Sequence, residues 1–72
     1  MEQLKTIEKN FNRPDCKEYV KIVQTYDKDA EDSRKYAVEV YLHVSDNLIA
    51  TIHSSMLYKS DLVFDALMRN YL

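Results

Sequence analysis

Between Arg34 and Val44 the chain reads R-K-Y-A-V-E-V-Y-L-H-V, and its even positions, Tyr36, Val38, Val40, Leu42 and Val44, are all apolar. The positions between them, Lys35, Ala37, Glu39, Tyr41 and His43, are mostly polar or small. Successive side chains of a β-strand point to opposite faces. Alternation in β-branched and aromatic residues therefore predicts a strand with one buried face. No other stretch alternates so cleanly, which places this strand at the centre of a sheet. The rest of the chain must supply its neighbours and cover one of its faces.

After Val44 the turn residues Ser45, Asp46 and Asn47 lead into a second alternating run, Leu48 to His53. A two-residue loop would oppose Val40 to His53 and put an imidazole on the apolar face. A three-residue loop opposes Val44 to Leu48, Leu42 to Ala50 and Val40 to Ile52, so that every pair on that face is apolar. A one-residue slip flips the whole set, so the apolar match favours the longer loop. Asn47 then supplies the left-handed position of a bulged turn.

Upstream, residues 17 to 26, K-E-Y-V-K-I-V-Q-T-Y, predict a first strand. Val20, Ile22, Gln24 and Tyr26 share one face and Tyr19, Lys21, Val23 and Thr25 the other. Both faces are mixed, which suits a sheet edge, and Lys17 and Lys21 would discourage stray pairing there. Residues 27 to 33, D-K-D-A-E-D-S, read as a polar loop. Asp27, Asp29 and Glu31 match the first ligand positions of a calcium loop, but Asp32 and Val38 break the motif where Gly and Glu are required.

The ends read as helices. Leu4, Ile7 and Phe11 fall at helical spacing over residues 2 to 11, with Asn12 and Pro14 as a stop. At the other end Ser60 or Asp61 would cap a helix whose apolar stripe is Val63, Phe64, Leu67, Met68 and Tyr71. Asp65 and Arg69 are spaced to pair along it. Residues 54 to 59 connect the two elements or extend the helix by a turn. The expected fold is α+β: a three-stranded antiparallel meander with an N-terminal and a C-terminal helix on one face, forming one small domain over residues 1–72.

The chain of 72 residues contains no glycine. That excludes glycine-rich phosphate loops and dinucleotide fingerprints. The net charge of −2 argues against a dedicated nucleic-acid protein. Cys16 is the only cysteine, which rules out an internal disulfide framework and fits a reducing compartment. No apolar run is long enough for a signal peptide or a membrane span. A cytoplasmic protein without membrane contact is the expectation.

With the first strand aligned so that Ile22 opposes Val40, the uncovered face carries three rows: Tyr19-His43-Ile49, Lys21-Tyr41-Thr51 and Val23-Glu39-His53. Catalysis would need a nucleophile within reach of His43 or His53. Thr51 is the only neighbouring hydroxyl, and nothing activates it. A Cys16–His43 pair is possible in principle, but two surface histidines and a small apolar cysteine are the plainer reading, and a metal site at His43 and His53 lacks a third ligand. The residues therefore imply no enzyme, no metal and no cofactor. Six tyrosines in so short a chain, with Tyr19 and Tyr41 on the open face, suit a binding surface instead.

The order helix-strand-strand-strand-helix resembles that of the double-stranded-RNA-binding domain. That family grips phosphates with a basic cluster at the start of its last helix, after a glycine-containing segment. The matching stretch here, Ser54 to Asp61, holds one lysine and no glycine. Family members without the cluster tend to bind proteins, so no RNA-binding residue is carried over. The expected function is a small non-enzymatic interaction protein, of the size viruses and phages use as accessory proteins. Its expected partner is another protein, or a second copy forming a homodimer through the third strand. The binding residues would be Tyr19, Lys21, Tyr41, His43, Ile49, Thr51 and His53. The alternative is a nucleic-acid-binding module using Lys21, Lys35, Tyr19 and Tyr41.

Overall fold

A computed structural model describes residues 1–12, 17–42 and 47–72, with side chains over residues 1–9, 19–42 and 48–72. Four strands, β1 (Glu2–Asn12), β2 (Lys17–Tyr26), β3 (Tyr36–Leu42) and β4 (Asn47–Ser54), precede one helix, α1 (Leu57–Tyr71). The strands form one antiparallel sheet in the order β1-β2-β3-β4. The general α+β class is as expected, but the N-terminal segment is a fourth strand and not a helix. The helix-strand-strand-strand-helix order behind the likeness to the double-stranded-RNA-binding domain is therefore not the order of this chain.

A single irregularity explains the difference. Gln3 lies opposite Thr25 and Lys5 opposite Gln24, so Leu4 is an inserted, bulged residue. Beyond it the pairing runs evenly from Lys5 to Asn12. A bulge breaks period-two alternation and spaces Leu4 and Ile7 by three, as a helix would. Adding β1 also moves β2 from the edge, where its mixed faces suggested it belonged, to the interior of the sheet.

Ile22 opposes Val40 and Lys21 opposes Tyr41, as the sequence suggests. Between β3 and β4 the register differs by two residues: Val38 faces Ile52 and Val40 faces Ala50. From Ala50 to Ser54 a two-residue shift leaves each side chain on its expected face, so apolar patterning alone cannot detect it; Leu48, expected opposite Val44 on the covered face, instead stands with Tyr41 on the open one. Ile49 is then bulged, Tyr41 pairs with Leu48, and Leu42 pairs with Asn47. Asn47 is thus the first strand residue and not the turn position; the turn itself, with His43 and Val44, lies outside the described residues, as do Cys16 and Pro14.

One face of the sheet carries α1. The core is Val20, Ile22, Val38 and Val40 from β2 and β3 and Phe64 from the helix. Ile7, Leu42, Ala50, Val63, Leu67, Met68 and Leu72 pack around it half-buried. Tyr71, expected in the stripe, is mostly at the surface, with 37% exposure. The helix starts at Leu57, with Met56 before it and no side-chain cap. Ser60 is therefore inside the helix and completely buried. Its hydroxyl donates to the Leu57 carbonyl at 2.8 Å. Arg69 donates to the Asp65 backbone carbonyl at 3.4 Å, where a carboxylate pair was expected. No helix among the described residues is long and apolar enough to cross a membrane.

Candidate protein-interaction surface

The pairing builds the open face in rows across four strands. Glu8, Lys21, Tyr41 and Leu48 form one; Thr6, Val23, Glu39 and Thr51 the next; Gln3, Thr25, Ala37 and His53 the third. Tyr19 stands opposite Asn10 and is half-buried. Lys21 and Tyr41 are brought together, with the Lys21 ammonium 4.9 Å from the ring centroid. The Tyr41 hydroxyl donates to Glu39 Oε2 at 3.0 Å. Burial, and then the neighbouring Glu39 carboxylate, raise the Tyr41 pKa above its ordinary value.

The expected Glu39–His53 pair does not form, because the two-residue shift sets His53 opposite Ala37 and gives Glu39 to Thr51. For the same reason Ile49 does not lie in a row with Tyr19 and Thr51 does not lie beside Tyr41. Ile49, Thr51 and His53 are nevertheless all exposed on β4. His43 lies outside the described residues.

The loop between β2 and β3 is braced from within. The Asp27 amide donates to the Lys35 carbonyl at 2.8 Å. The Asp27 carboxylate accepts the Asp29 amide at 3.0 Å. Lys35 Nζ donates to the Lys28 carbonyl at 2.8 Å. Its short 3-10 turn, Asp32–Arg34, reaches β4. The loop thereby walls a pocket of about 310 Å³ on the open face, between Thr25, Ala37 and Glu39 of the sheet centre and Thr51 and His53 of β4. Small residues at Ala30 and Ala37 leave the space.

Sequence reasoning missed a polar clasp on the covered face. Gln24 is completely buried, and its amide nitrogen donates to the Ser60 hydroxyl and, at 3.0 Å, to Asp61 Oδ1. Lys5 meets the same Asp61 oxygen at 2.9 Å. The Lys5 ammonium also lies 5.0 Å from the Phe64 ring centroid. Hydrogen bonding from Gln24 first, and then from Lys5, holds the Asp61 carboxyl below its ordinary pKa. The Gln24 carbonyl oxygen is buried without a partner among the described residues. The signal was present: Gln24 shares a face with Val20 and Ile22, and a polar residue there needs a partner.

β1 and β4 are the two edges. β1 carries Glu2, Lys5, Glu8, Lys9 and a bulge, all features that keep edges from pairing. β4 has a bulge at Ile49, but from Ala50 to Ser54 it is regular and has no Lys, Pro or acid. Compared with protein-family models, curated proteins and solved structures, the chain matches none.

Proposed function

We propose that this chain is a non-enzymatic interaction protein that binds another protein chain, or a second copy of itself, along β4. One observation carries the reading: among the described residues, seven of the ten exposed large hydrophobic side chains lie between Leu48 and Leu62. They are Leu48, Ile49 and Ile52 on β4, Met56 just before the helix, and Leu57, Tyr58 and Leu62 in the first half of α1. Scattered exposed apolar residues need no explanation, but a concentration beside an unprotected strand edge does. A strand added there would satisfy the free backbone groups and cover Ile52 and its neighbours. The nucleic-acid reading has less support, because Lys21 lies over Tyr41 and Lys35 is bonded into its own loop.

Of two adjacent residues on an edge strand, one sends its N–H outward and the other into the sheet. Thr51→Pro and Ile52→Pro therefore differ: one deletes the outward donor and folds, the other breaks the ladder to β3. Sedimentation of the purified protein, and crosslinking in host extract, should show association with the wild type and none with the folded proline variant. A folded variant that associates like the wild type sinks the proposal. Titration with duplex RNA at low salt should show no binding, because phosphate contacts would be strongest there.

A further inference from the structure

The open-face pocket borders the free edge, and two of its lining residues, Thr51 and His53, are on β4 itself. Its charged groups are unequally satisfied. The Asp27 carboxylate accepts an amide, and the Glu39 carboxylate accepts the Tyr41 hydroxyl. Lys35 is held by the Lys28 carbonyl and by Asp32 at 3.9 Å. Arg34 lines the same pocket, is exposed, and its guanidinium has no partner among the described residues. The volume of about 310 Å³ is that of a small ligand site. Thr25, Ala30 and Ala37 are its small lining residues.

We propose that the pocket is the specificity site for an extended segment of a different protein added to β4. A long apolar side chain of that segment, Leu, Met or Phe, enters the pocket between Thr51 and His53. An acidic residue two positions away, on the same face of the segment, pairs with Arg34. This rests on the protein-binding reading above and names the partner's chemistry. Main-chain pairing at an edge gives affinity without sequence preference; pockets for alternate side chains give the preference. Diagonal neighbours on adjacent strands are within reach of long side chains. A second copy is the poorer occupant, because its own β4, N-L-I-A-T-I-H-S, brings no acid to Arg34.

Random twelve-residue peptides displayed on phage and selected on the wild-type protein test this. The selected peptides should share a long apolar residue and an acid two positions apart. Arg34→Glu should weaken a synthetic consensus peptide about tenfold or more, and changing the peptide's acid to Lys should restore binding to that variant. Ala37→Leu, which fills the pocket from a lining position on the open face, should weaken the same peptide without lowering the melting temperature. The folded edge-proline variant should bind none. No selected peptide, or peptides indifferent to both Arg34→Glu and Ala37→Leu, overturns the inference. Peptides that lose affinity on Ala37→Leu but bind the edge-proline variant overturn the edge reading and with it this mode of binding. A wild-type dimer dissolved by the proline variant overturns the different-protein partner and leaves the edge reading standing.

Discussion

Gln24 is the residue on which the helix-to-sheet contact turns. It occupies a core position, completely buried between Lys5 and Val38 on the neighbouring strands, yet among the described residues only its amide nitrogen finds partners. A buried carbonyl without a partner costs roughly 1–3 kcal/mol. Gln24→Met removes that orphan along with two hydrogen bonds. Ser60 would still donate to Leu57, and Asp61 would still pair with Lys5. The change in stability should stay within about 1 kcal/mol. Gln24→Glu instead sets a second carboxylate beside Asp61 Oδ1, where the amide now sits at 3.0 Å. A buried charge without a counter-ion should cost about 3 kcal/mol or more near neutral pH and recover partly at pH 5, as one carboxyl takes a proton. Urea unfolding of both variants at the two pH values measures this. Equal stability of Met and Glu variants at neutral pH would mean that the clasp does not form.

At the scale of elements, β1 shows how much of the fold was legible. β2, β3, β4 and α1 could be read because period two and period 3.6 run through them almost uninterrupted. The faces of Val38, Val40, Ile52 and Phe64 followed from those periods. The β3–β4 register did not, since a shift of two residues preserves the apolar match that was used to choose it. β1 was hidden by the bulged Leu4, which turned a strand's spacing into a helix's. Its side chains offer little help, because β1 is an edge and Ile7 is its only described residue that is even half-buried. The proposed binding surface was legible only in part: Thr51 and His53 line the pocket, but so does Arg34, from a loop whose path no periodicity encodes. Thr6 distinguishes the two readings of β1. It is exposed, opposite Val23, and accepts a hydrogen bond from Gln3. In a helix Thr6→Ala would stabilise, because Ala is the better helix former. In a strand the β-branched residue is preferred, so the same change should lower stability by about 0.5–1 kcal/mol. A gain in the urea midpoint would restore the helix.

The whole molecule is two layers, a four-stranded sheet and a single helix, and only Phe64 brings a buried apolar side chain from the helix to the core. So thin a contact makes the polar attachments between layers matter more than in a larger domain. Asp61 is the point where they meet: Gln24 of β2 and Lys5 of β1 both bond to its carboxylate. The folded state holds that carboxyl below its ordinary pKa. A depressed folded pKa means that the stabilisation is fully present above the ordinary aspartate pKa of about 4 and is lost as the pH falls below it toward the folded value. Asp61→Asn retains an oxygen to accept the Gln24 amide but loses the charge that Lys5 answers. The wild type should therefore be the more stable of the two at pH 7, with the difference shrinking as the pH drops below about 4. Because Lys5 and Asp61 are 44% and 39% exposed, added salt should also narrow the gap at pH 7. Urea midpoints for both proteins between pH 7 and pH 3, at low and high salt, give the comparison. A gap that stays constant across that range would show that the carboxylate contributes nothing to holding the helix on the sheet.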